Sequence, residues 1–129
     1  KDVHAPGLYF HVEPGRAFLA CGMWHPEPDA LKAVRGAIVD DPAGWKRIRD
    51  AKRFKDRWEL SGDSLKRPPR GYDAEHPMIE DLKRKDFIAV TSFTNAEVCS
   101  KEFMNTFVKF CRTNNKWMQF LTRAVGVAW

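Results

Sequence analysis

Three cations and a phenol stand within seven residues at Lys66-Arg67-Pro68-Pro69-Arg70-Gly71-Tyr72. Each guanidinium can grip a phosphate or carboxylate with two parallel N–H donors, and the lysine adds a point charge. Pro68 and Pro69 stiffen the backbone, so less freedom is lost in holding Lys66, Arg67 and Arg70 in place. Gly71 permits a turn or a close approach to a ligand, and Tyr72 can stack on one or hydrogen-bond it. The bland alternative is that Arg67 and Arg70 only tie the loop to Asp73 and Glu75.

His11 and Glu13 form a second constellation, two residues apart with Tyr9 beyond. On a strand all three share one face. Imidazole titrates near neutrality, so His11 beside a carboxylate suits general acid–base work. His76, close to the cationic loop in sequence, is the other candidate for handling a proton. The competing reading is a structural strand histidine.

His25-Pro26-Glu27 matches half of a zinc-deaminase signature, but that chemistry needs a Pro-Cys-x-x-Cys partner, and the chain has none. His4, His11, His25 and His76 are scattered, so no metal is expected. There is no glycine-rich phosphate loop, His-Glu-x-x-His or Gly-x-Ser-x-Gly, so P-loop and Rossmann nucleotide binding are not expected, nor is a cofactor.

These residues need elements to hold them. Leu8 to Glu13 alternates like a half-buried strand, Pro14-Gly15 suits a type II turn, and Arg16 to Trp24 alternates again. A tight hairpin sets Glu13 opposite Arg16 and His11 opposite Phe18. One face then carries Leu8, Phe10, Val12, Ala17, Leu19, Cys21 and Met23 as core, and the other displays Tyr9, His11, Glu13 and Trp24. Asp29 is expected to cap a first helix bearing Leu31, Val34 and Ile38, and Asp41-Pro42 to start a second. Phe54 and Trp58 would extend the second helix's apolar stripe. Leu60 to Tyr72 is expected as loop, Pro77 opens a short helix, and Phe87 to Val90 is a buried strand. Ser100 would cap a long C-terminal helix with Phe103, Phe107, Phe110, Trp117 and Leu121 at helical spacing. The expectation is one α+β domain over 1–129, with an antiparallel sheet and β-hairpin 7–24 packed against helices.

Composition agrees. At 129 residues the chain suits one domain, and 43% hydrophobic residues can furnish a core. No apolar run approaches the roughly 20 residues of a membrane span. An odd number of cysteines (Cys21, Cys99 and Cys111) without Cys-x-x-Cys argues for free thiols and a cytoplasmic setting. The net charge of +5 is concentrated between Trp45 and Arg70, where ten basic residues face four acidic ones. Such a stretch attracts phosphate, nucleic acid or an acidic partner.

Gly7-Leu-Tyr-Phe-His-Val-Glu-Pro-Gly15, Gly22-Met-Trp-His-Pro-Glu-Pro28, Leu65-Lys-Arg-Pro-Pro-Arg-Gly-Tyr-Asp-Ala-Glu-His-Pro77 and Leu82-Lys-Arg-Lys-Asp-Phe87 occur in that order. Together they resemble the family catalogued as domain of unknown function 2461, from Gly7 to the final helix. The resemblance implies a further N-terminal region with helices and an additional strand, so this chain, which begins at Lys1, is expected to lack part of the family domain. Arg16 departs from the small residues common after the family's Pro-Gly turn. The family brings no established activity.

The function expected from the residues is an anion-binding pocket for a phosphorylated or carboxylated small molecule. Tyr9, His11, Glu13 and Trp24 would form one wall, and Lys66, Arg67, Arg70, Tyr72 and His76 the other. Any catalysis would fall to His11, Glu13 or His76, with the cations stabilising developing negative charge. Two alternatives stand beside it: nucleic-acid binding through the basic 45–70 segment, and docking of an acidic protein partner on the Arg47–Arg57 charges. Oligomeric state is not encoded in any of these features.

Overall fold

Strand β1 (Gly7–Glu13) turns through Pro14-Gly15 into β2 (Arg16–Met23), with Gly15 at φ 79° as the turn requires. The structure is a computed structural model that describes residues 5–128; His4 lies outside the described residues. The hairpin register is the expected one, with Glu13 opposite Arg16 and His11 opposite Phe18. On its far side β2 pairs with β4 (Phe87–Phe93), which pairs in turn with β3 (Glu59–Ser61). The four strands form one antiparallel sheet in the order β1-β2-β4-β3. Leu60 and Ser61 of the three-residue β3 fall in the stretch read as loop, being too few to show alternation.

Gly22 is where β2 and β4 approach most tightly. It has φ 125°, and a Cβ there would lie 2.0 Å from the Phe87 carbonyl oxygen. Only glycine fits.

The helices cover one face of the sheet. Helix α1 (Pro28–Asp40) starts at Glu27 rather than Asp29, because Pro28 suits the first helical position; Asp29 sits in the first turn, where negative charge is favoured. In α2 (Pro42–Asp50) the Asp41 carboxylate accepts from the Gly44 N–H at 3.0 Å. Ala51 breaks the chain before the single turn α3 (Lys52–Lys55), so Phe54 belongs to a separate element, yet both Phe54 and Trp58 are buried. The turn α4 (Ile79–Leu82) ends under Arg35, which donates to the Leu82 and Arg84 carbonyls at 2.7 and 3.1 Å. A capping box at Thr94 and Glu97 starts α5 (Asn95–Val98).

The expected long C-terminal helix is present as two consecutive ones, α6 (Phe103–Thr113) and α7 (Asn115–Val125), separated at Asn114 (φ −100°, ψ 2°). Ser100 accepts from the Glu102 N–H, but α6 begins only at Phe103.

The core lies between sheet and helices. Leu19, Cys21 and Met23 of β2 are buried with Val34 and Ile38 of α1, Trp45 of α2 and Trp117, Met118 and Leu121 of α7. Leu8, Phe10 and Val12 share that face but are 48%, 38% and 55% exposed. The reason is position: β1 is an edge strand. Phe10 still reaches the helices, with Phe103 and Phe107 at 5.8 and 5.4 Å. Among the described residues no helix is long and apolar enough to cross a membrane.

Candidate functional site

The hairpin brings its polar residues together as expected. His11 Nε2 lies 3.2 Å from Glu13 Oε1, and the Tyr9 hydroxyl 3.4 Å from His11 Nδ1. The His11 ring stacks on Phe18 at 5.1 Å, and Arg16 covers the same ring at 5.0 Å while approaching Glu13 at 3.8 Å. Arg16 therefore joins the cluster despite its departure from the family pattern. The result is an aromatic ladder with a charged fringe on the outer sheet face.

The cationic loop lies elsewhere. Lys66, Arg67 and Arg70 are exposed and make no ion pair among the described residues; Asp73 instead accepts from the Glu75 N–H. Pro69 is buried and its carbonyl accepts from the Tyr72 N–H, while Gly71 takes φ 89° with open space around it. Tyr72 packs against the core. His76 Nδ1 accepts from the Met78 N–H at 3.0 Å, so that nitrogen serves the turn before α4.

The sheet sets the roots of the two expected walls apart. β1 and β3 occupy opposite edges of the sheet, and the loop leaves β3 at Ser61, opposite Ile88. His11 pairs with Phe18, which lies opposite Ser92, four residues further along β4 and about 13 Å away. Trp24 follows Met23, opposite Phe87, and so belongs to the loop's end of the sheet. It is 64% exposed and meets His25 edge-on at 4.9 Å. His25 has the strained φ of 47°. Its N–H donates to the buried carboxylate of Asp86 at 2.8 Å, which also accepts from the Asp63 N–H at 2.9 Å.

The basic run from Trp45 onward divides by use. Arg49 binds the buried Asp81 and also Asp50 at 2.9 Å; Lys55 approaches Asp50, and Arg84 approaches Asp81. The Arg49 guanidinium that hydrogen-bonds Asp50 holds that carboxyl below its usual range, and the same bond pushes Arg49 up. Arg57 lies over the Phe110 ring at 3.6 Å. These cations hold the fold together.

Others do not. A groove of about 1040 Å³ runs between α1, α2 and α3 on one side and the end of α6 with α7 on the other. Its floor includes Ile48, Phe54, Trp117, Phe120 and Ala124. Its rims carry Arg47 and Arg53 on one wall and Arg112, Lys116 and Arg123 on the other, all exposed and none in an ion pair among the described residues. Asp40 and Asp41 also line it, with Asp41 occupied in capping α2. Sequence reasoning missed the α6–α7 half of this site. The available signal was Lys116 and Arg123, seven apart and hence on one helical face.

All three thiols are free. Burial pushes Cys21 up to about 12 and raises Cys111. Among the described residues no three His, Cys, Asp or Glu side chains converge as metal ligands.

The fold is thus a four-stranded antiparallel α+β domain with a cationic groove among its helices. A family model described as conserved hypothetical protein DUF2461 matches residues 1–120, and the chain belongs to that family. Comparison with curated proteins gives no match, and comparison with solved structures gives none.

Proposed function

We propose that this domain binds an anionic ligand, bearing carboxylates or phosphates, in the groove between α2–α3 and α6–α7. The observation that carries the reading is the set Arg47, Arg53, Arg112, Lys116 and Arg123, five cations around one concavity with no ion-pair partner among the described residues. Cations held around a groove with a partly apolar floor concentrate negative charge there and interact with it more strongly than on open surface. The chemistry is the anion binding expected from the sequence; the location is different.

Tripolyphosphate, followed by the fluorescence of the buried Trp117 and by amide shifts, is a direct probe. Binding should weaken with salt, and Arg112→Glu with Lys116→Glu should reduce it roughly tenfold or more, the scale of losing a charge-assisted contact. No binding by the unaltered protein at low salt would overturn the proposal.

The Lys66–Tyr72 loop supports a second reading, favoured by its three unpaired cations on a proline-stiffened backbone. Replacing Lys66, Arg67 and Arg70 by Ser separates the two. If that variant loses tripolyphosphate and the groove variant keeps it, the loop is the site.

A further inference from the structure

The shape of the groove says more about its occupant than its charge does. Lys116 and Arg123 stand two turns apart on α7, about 10 Å along the axis. No single phosphate or carboxylate spans that interval, so using both cations takes an extended ligand with several anionic groups. Between the rims, Ile48, Phe120 and Ala124 are only partly buried and leave apolar surface on the floor. A bare chain of phosphates would leave that surface wet. Stacked bases find one partly exposed ring there, Phe120, because the floor rings of Phe54 and Trp117 are already buried. An occupant that uses floor and rims together has an apolar face flanked by carboxylates.

We propose that the groove is a docking site for an acidic amphipathic helix of a partner protein. Apolar side chains at positions i, i+3, i+4 and i+7 would rest on the floor. Its glutamates and aspartates would meet Arg47 and Arg53 on one rim and Arg112, Lys116 and Arg123 on the other. The eleven residues of α7 give the groove a length of about three helical turns. The charge match is specific in sign: the rim cations form no ion pair among the described residues, and Asp40 and Asp41 repel an acid from their part of the lining. This assignment rests on the anion-binding reading and narrows it to one ligand class.

The test uses the intact chain and a labelled peptide of about four helical turns, with Leu on one face and Glu on the others. It should bind at low salt. The same peptide with every Leu replaced by Ser keeps its charge and should bind roughly tenfold more weakly or worse, since two or three buried leucines are at stake. Arg112→Glu with Lys116→Glu, both at exposed positions, should weaken the Leu peptide, with an unchanged melting temperature showing that the fold persists. If the Ser peptide binds as tightly as the Leu peptide, or tripolyphosphate binds more tightly than either, the peptide assignment fails while anion binding stands. If none of the three binds, both fail.

Discussion

The ring of Phe54 lies on the indole of Trp117, centroids 5.5 Å apart and planes 26° from parallel. Phe54 belongs to the single turn α3 and Trp117 to α7, so this stack joins the two walls of the cationic groove across its floor. Trp45 adds a second contact at 5.5 Å to Trp117 and a third at 5.1 Å to Phe120. An element as short as α3 cannot hold itself in helical form, so the stack orients Arg53 as well as contributing to the core.

Phe54→Ala should therefore cost about 3–5 kcal/mol of stability, as for other buried aromatic truncations. Urea unfolding followed by circular dichroism measures it. Phe54→Leu should lose less stability while still weakening tripolyphosphate, because the flat contact that fixes α3 is gone.

Acid should expose the contribution of the Arg49–Asp50 bond. The Asp50 carboxyl is held below its ordinary value of 3.8, so its contribution is present above that pH and is lost as pH falls through the lower folded value. Asp50→Asn should lower stability slightly in the neutral region, by little because the group is partly exposed and solvent screens it, and should converge on the unaltered protein in acid. Unfolding midpoints measured from pH 6 down to acid denaturation decide this.

Thiol reactivity should rank by burial. Cys99 is exposed, Cys111 partly covered and Cys21 buried with its pKa at about 12. At mildly alkaline pH a thiol reagent should label Cys99 first and Cys21 only on unfolding, as mass spectrometry of peptides would show. The sign for stability follows: the folded thiol stays neutral while the unfolded one ionises from its ordinary 9.0. Stability from this group is full below that pH and declines above it toward 12. Cys21→Ala should remove that decline.

Gly22→Ala should be among the more damaging small changes, costing roughly 2–4 kcal/mol. Its φ of 125° and the Phe87 carbonyl 2.0 Å from the added carbon leave β2 and β4 no relaxed arrangement. By contrast, Gly71→Ala meets no atom within 4 Å and carries only the strain of a φ of 89°, so its effect should be smaller. Thermal melts of the two variants make the comparison.

What was legible in the sequence was local. Pro14-Gly15 sets the turn, and a turn with its alternation fixes a register, so His11 opposite Phe18 followed from neighbours in the chain. Asp41-Pro42 likewise announces α2. What was not legible depends on packing between distant segments. Leu8, Phe10 and Val12 alternate as core residues do, but strand order puts them at an edge, and order is not written in alternation. The break at Asn114 escapes periodicity because Phe110, Trp117 and Leu121 all still reach the core across it. The spacing of the two expected walls was illegible for the same reason: each was recognisable, and the strand order that sets β1 and β3 at opposite edges was not. The groove needed Arg53 and Lys116 around one hollow, 63 positions apart in the chain.

Asp86 has a consequence of its own. Its two oxygens hold the backbone just after β2 and just after β3, while its own main chain begins β4. Three adjoining strands meet at one buried side chain, and on the β3 side the Lys85 N–H to Asp63 carbonyl bond at 2.8 Å and the Leu65 N–H to Lys83 carbonyl bond at 2.7 Å share the task. Opening at that margin is therefore uneven: when the carboxylate lets go, the root of the Lys66–Tyr72 loop keeps its backbone ties. The bend at His25 hangs on that one clasp, and the Trp24 ring displayed beside it is only as still as the clasp is shut.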